Sequence, residues 1–158
     1  MKGKYVAGAI VLTALLAGAA IYYLQVYAYY RPVPADAPAA VIHLAPDAGG
    51  TPDTMLTSAF QAIDADSSPL RFRACFQTSM SLAMLTEGYR VYANPTPLIA
   101  PHWFSCFDAG QLDADLQSGK AVAFLSDENI HPGVDRVVAV YADGRAFAWQ
   151  QLNESADQ

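Results

Sequence analysis

Basic charge and cysteine are both scarce in this chain: nine Lys and Arg stand against fifteen Asp and Glu in 158 residues, and there are only two cysteines and three histidines. So few cations exclude a nucleic-acid surface, because nothing is present to replace the counterions of a phosphate backbone. The two cysteines, Cys75 and Cys106, are too far apart to form CxxC or the CxxCH of covalent haem attachment. No HExxH and no nucleophile elbow occur either, which removes zinc hydrolases and serine hydrolases of the familiar patterns. The acids of `DADSS`, Asp64 and Asp66, lack the spacing of a calcium loop and read as a turn. No internal repeat is present. The expectation is a protein without catalytic residues and without a cofactor.

What is present begins at the N-terminus. From Tyr5 to Leu24 the run `YVAGAIVLTALLAGAAIYYL` carries no charge over twenty residues, about 30 Å of helix and the thickness of a hydrocarbon core. A cleaved signal peptide would use the same features, Lys2 and Lys4 as its basic end and Ala17 and Ala19 as its small-x-small site. The apolar run is longer than that and continues into `QVYAYY`, whose Tyr27, Tyr29 and Tyr30 suit the headgroup layer, so a retained anchor is expected. Lys2 and Lys4 before the span, against Arg31 and Asp36 after it, place the N-terminus in the cytoplasm and the rest across the membrane. Within the span Ala9, Thr13 and Ala17 recur every four residues and Ala14 and Gly18 form a second small pair, a pattern that permits close contact with another helix in lipid.

Pro32, Pro34 and Pro38 stop the helix near Arg31. The sequence therefore divides into a cytoplasmic tip and transmembrane helix at 1–31, a Pro-rich tether at 32–39 and a domain at 40–158, enough for one small core. From Arg31 onward the formal charge is −8. A basic protein partner would fit that balance, although a soluble acidic surface explains it as well.

In the domain, residues 40–44 read as a first strand, Thr54–Ile63 as a short helix or a strand, and Leu70–Phe76 as a strand with Leu70, Phe72, Ala74 and Phe76 opposite Arg71, Arg73 and Cys75. A helix capped by Thr78 or Ser79 ends at Gly88, with Met80, Met84 and Leu85 as core atoms. A second covers Ala109–Ser118, capped by Asp108, with Gln111 completing a capping box and Gly119 at the exit. Residues 120–126 return as a strand. Asp143-Gly144 predicts a two-residue hairpin turn, setting Val140 against Phe147 and Val138 against Trp149. The fold class is α+β: one N-terminal transmembrane helix, then a small domain with an antiparallel sheet and two short helices.

Between the helices `NPTPLIAPHWFSCF` has no periodicity, and its Pro101, His102, Trp103 and Phe104 are the candidate interface on the far side of the membrane. In an oxidising compartment Cys75 and Cys106 are expected to form a disulfide. The same residues allow two other readings. Arg71 and Arg73 would favour a Cys75 thiolate, and Cys75, His102 and Cys106 form a candidate redox or copper or zinc set.

The segments `AGAAIYYLQVYAYYRPV`, `AIDADSSPLRFRACF`, `PTPLIAPHWFSCFDA`, `GVDRVVAVYADGR` and `WQQLN` together resemble a family of membrane-anchored proteins of unknown function from alphaproteobacteria of the Rhodobacter and Paracoccus group. The resemblance implies a bacterial inner membrane, a periplasmic domain and cysteine segments that belong to the family pattern. It carries no activity. The functional expectation is an accessory or assembly subunit bound to lipid and to an integral membrane complex, such as a cytochrome c oxidase or a cytochrome bc1 complex. The alternative is a membrane-tethered copper or thiol-redox factor using Cys75 and Cys106.

Overall fold

A computed structural model describes residues 2–157. Helix α1, Lys2–Tyr23, has no buried residue and runs into a π-helical turn, Leu24–Ala28; together they make one helix long and apolar enough to cross a membrane. The chain then enters the sheet at once. Strand β1, Arg31–Pro32, pairs with Asp64 and Ile63, and the Val33 amide donates to the Ala62 carbonyl at 2.9 Å. The Pro-rich segment is thus no free spacer. Its first residues are sheet edge, where proline costs no ladder bond, and Ala40 at its end is buried.

The expected first strand shrinks to β2, His43–Leu44, which pairs with β3, Asp53–Thr54, in a two-stranded ribbon. Ala40 instead closes a 3-10 turn, Pro38–Ala40. Beyond the ribbon, β4 (Ser58–Asp64), β5 (Arg73–Gln77), β6 (Ala121–His131), β7 (Val134–Tyr141) and β8 (Arg145–Leu152) join β1 in an antiparallel sheet of order β1-β4-β5-β8-β7-β6. The ambiguity at 54–63 resolves as strand.

Helix α2, Leu82–Gly88, and helix α3, Ala109–Gln117, lie over opposite faces of this sheet. On one face Phe72, Phe76, Phe124, Val138 and Val140 pack with Leu44 of the ribbon, Ile42 just before it and Leu85 of α2. On the other, Cys75, Val137 and Trp149 pack with Phe104, Phe107 and Leu112. Alternation along Leu70–Phe76 assigns Phe72, Ala74 and Phe76 to the first face and Cys75 to the second, as the pattern predicts. With both faces covered, every residue of β7 is buried, which is why Val137–Tyr141 read as a continuous apolar run.

The α2 cap is Ser81, whose hydroxyl accepts from the Met84 amide; the Thr78 hydroxyl is already taken by the Met80 amide. Met84 is exposed rather than core, whereas Leu85 is fully buried. Asp108 caps α3 by accepting from the Gln111 amide at 3.0 Å. No capping box forms there, because the Gln111 side chain reaches forward to Asp115.

The β7–β8 turn has three residues, Ala142-Asp143-Gly144, rather than two. Val140 therefore faces Ala146, Ala139 faces Phe147 and Val137 faces Trp149. The Gly144 amide donates to the Tyr141 carbonyl and Gly144 takes φ 89°, the left-handed bulge that follows a type I turn. The one-residue change of register leaves small alanines opposite valines on one face and gathers Phe147 and Trp149 on the other. A Cβ at Gly144 would lie 2.7 Å from the Thr78 carbonyl oxygen. Gly144→Ala is therefore expected to lower the unfolding free energy by about 1–3 kcal/mol, measured by urea denaturation of the detergent-solubilised chain.

Candidate functional site

The candidate residues of the domain converge where the long apolar helix ends. The helix contributes Gln25, Val26 and Tyr27, and the link after it Tyr30; the strand approach contributes Arg71 and Arg73; the irregular loop contributes Leu98 to Phe104. Trp103 Nε1 donates to the Val26 carbonyl at 2.7 Å. Tyr27 Oη and His102 Nε2 lie 3.0 Å apart. The Tyr30 and Trp103 rings meet edge to face. Arg71 donates to the Gln25 backbone and side-chain oxygens at 3.2 and 2.6 Å, and its guanidinium lies over the Tyr30 ring. A π-helical turn leaves main-chain carbonyls offset from regular partners, and the Val26 carbonyl is the one the indole takes.

The loop is held from behind by two devices. Cys75, in the middle of β5, is bonded to Cys106, with the Cα atoms 6.3 Å apart. Arg73, buried two residues earlier on the same strand face, donates to the carbonyls of Leu98 and Ile99 at 2.8 and 3.2 Å, and also to those of Leu70 and Phe72. Burial lowers its pKa to about 10, so the guanidinium remains charged at neutral pH. Phe107 packs beneath it. Thus helix end, loop and sheet form one continuous chain of contacts.

For the alternative set, both sulfurs are engaged with each other and His102 faces Tyr27 rather than sulfur. Among the described residues no group of three or more His, Cys, Asp and Glu is arranged to hold a metal ion. Pro101 lies behind the contact, its carbonyl accepting from the Phe104 amide, while Phe104 is buried in the second core. On the helix itself Ala9, Thr13, Ala14, Ala17 and Gly18 are all exposed. The Thr13 hydroxyl donates to its own Ala9 carbonyl at 2.8 Å, leaving the small face without an unsatisfied donor.

The sequence missed a second polar group. Cross-strand register lines up Asp127, Arg136 and Gln150 on one row of the sheet, and a shallow depression there adds His43, Asp64 and His131. His43 Nδ1 lies 2.9 Å from Asp127 Oδ1. Arg136 stacks 4.0 Å over Phe72 and donates to the carbonyls of Ala39 and Val41. Burial raises the Asp64 pKa and lowers that of Arg136. Asp135 and Arg136, adjacent in sequence, do not pair: they point to opposite faces, and Asp135 accepts instead from Tyr92 and Asn153. These contacts seat residues 38–43 on the sheet.

The family model of DUF6446, a family of unknown function, matches residues 42–158. The chain is a member of DUF6446. Both cysteines, Arg71, Arg73 and the whole 94–107 loop fall inside the matched DUF6446 domain, whereas the helix and the proline segment precede it. No curated protein and no solved structure matches this DUF6446 chain.

Proposed function

We propose that this DUF6446 protein is a non-catalytic accessory or assembly subunit of an integral membrane complex, anchored in a bacterial inner membrane with its N-terminus cytoplasmic and its domain periplasmic. Lys2 and Lys4 before the span support that orientation, and a disulfide in the domain suits the oxidising side. The observation that carries the reading is the fastening of the helix end to the domain through Trp103, His102 and Arg71, backed by the disulfide. A domain held this way has position but no reach, which suits a fixed place beside a larger membrane partner. Electron-transfer complexes such as cytochrome c oxidase or cytochrome bc1 are the partners the bacterial resemblance favours.

The helix supplies the partner surface through Ala9, Thr13, Ala14, Ala17 and Gly18, where close approach of a second helix gains van der Waals contact unavailable against lipid. Purification in mild detergent is expected to recover one stoichiometric partner complex. Ala14→Leu with Gly18→Leu should reduce that recovery severalfold without shifting the domain's denaturation midpoint, since both positions are exposed and no atom lies near a Cβ at Gly18. Unchanged recovery by the double variant would overturn the helix contact. Stoichiometric copper in the fresh protein would favour the redox alternative instead.

A further inference from the structure

On the membrane reading just proposed, we infer that the loop from Leu98 to Trp103 is itself a membrane contact, its exposed face set in the phospholipid headgroup layer. The helix supplies the depth gauge. Its twenty-residue apolar run ends at Leu24, where the polar Gln25 follows, and the headgroup layer occupies about 5–8 Å beyond the hydrocarbon on each side. Gln25, Val26 and Tyr27 are within one helical turn of that boundary, a rise of about 5 Å whatever the tilt reduces it to. Arg71, Trp103 and His102 are within hydrogen-bond distance of those three residues. They therefore occupy the same layer.

The chemistry of the loop matches that depth. From Val91 to Phe107 there is no charged residue, although the rest of the domain is rich in acids. Ile99 is 83 % exposed and Trp103 is 38 % exposed, an apolar tip beside an amphipathic ring of the kind that collects at membrane surfaces. Arg71 places a guanidinium in the same layer, where phosphate oxygens are acceptors. The loop cannot swing to find this depth, because Arg73 and the disulfide fix it to β5. Lipid is the occupant it fits.

The test uses the full chain in phosphatidylcholine nanodiscs, with and without bromine near the carboxyl end of the acyl chains. Bromolipid is expected to remove most of Trp103's share of the emission. With excitation selective for tryptophan, the effect should vanish in Trp103→Phe, whose remaining tryptophan, Trp149, is fully buried in the core. An Ile99→Trp variant, which leaves the Trp103 bond to Val26 in place, should gain a second quenched emitter. Protein that resists alkaline carbonate extraction but shows no quenching would overturn the lipid contact alone and assign the loop to a protein partner. Protein released by carbonate would overturn the anchor, and the contact with it.

Discussion

Reduction of the Cys75–Cys106 bond is expected to lower the unfolding free energy by about 3–4 kcal/mol, the chain-entropy value for a closed loop of this length. The bond spans 31 positions, and the loop it closes contains α2 and the irregular segment from residue 94 as far as Cys106. That segment contributes few ladder bonds of its own; its order comes from Phe104 and Phe107 in the core, from Arg73, and from the bond. Urea denaturation of the detergent-solubilised chain, with and without reductant, reads the effect as a lower midpoint. Cys75→Ala with Cys106→Ala should reproduce it. Hydrogen exchange should quicken most in the 94–107 loop and the helix end it grips, while β7 and β8 keep their protection. An unchanged midpoint would show that packing and Arg73 already hold the loop, and would remove the disulfide from the coupling between helix and domain.

How far such couplings could be read in advance depends on their range along the chain. Local signals were legible: the alternation of Leu70 to Phe76 sorted side chains to the correct faces, Asp108 and Gly119 bounded α3, and the charge-free run marked the membrane-length helix. The β7–β8 turn was visible in Asp143-Gly144, but its register was not. Ala142, which fits a strand by pattern, became a turn residue because Gly144 serves as the bulge. The fate of the arginines was a matter of long-range geometry. Their spacing put Arg71 and Arg73 on the face of Cys75 and raised the prospect of an activated thiolate; in the fold Arg71 turns to Gln25 and Arg73 to carbonyls of the loop, while the sulfur is bonded. No local pattern pairs Tyr27 with His102 or Val26 with Trp103, more than seventy residues apart. The His43–Asp127 pair and the Asp127–Arg136–Gln150 row likewise exist only through sheet register.

Arg73→Met is expected to cost about 2–3 kcal/mol, because one buried and three partly buried carbonyls lose their donor. The guanidinium serves four carbonyls at once, those of Leu70, Phe72, Leu98 and Ile99, and is only 3 % exposed. Methionine preserves most of the stem's packing over Phe107, so the loss reports the hydrogen bonds rather than a cavity. Arg73→Lys should recover part of the stability, because an ammonium offers three donors from a single point and cannot span carbonyls on two segments as a planar fork does. The expected order of urea midpoints is wild type, lysine, methionine, and Trp103 emission should shift to the red in the same order as the loop loosens from the helix end. Equal midpoints for methionine and wild type would mean that desolvating the cation costs as much as its four bonds return. In that case the loop's position would rest on the disulfide and the aromatic contacts alone, and the fastening of helix to domain would have one support fewer than the geometry assigns to it.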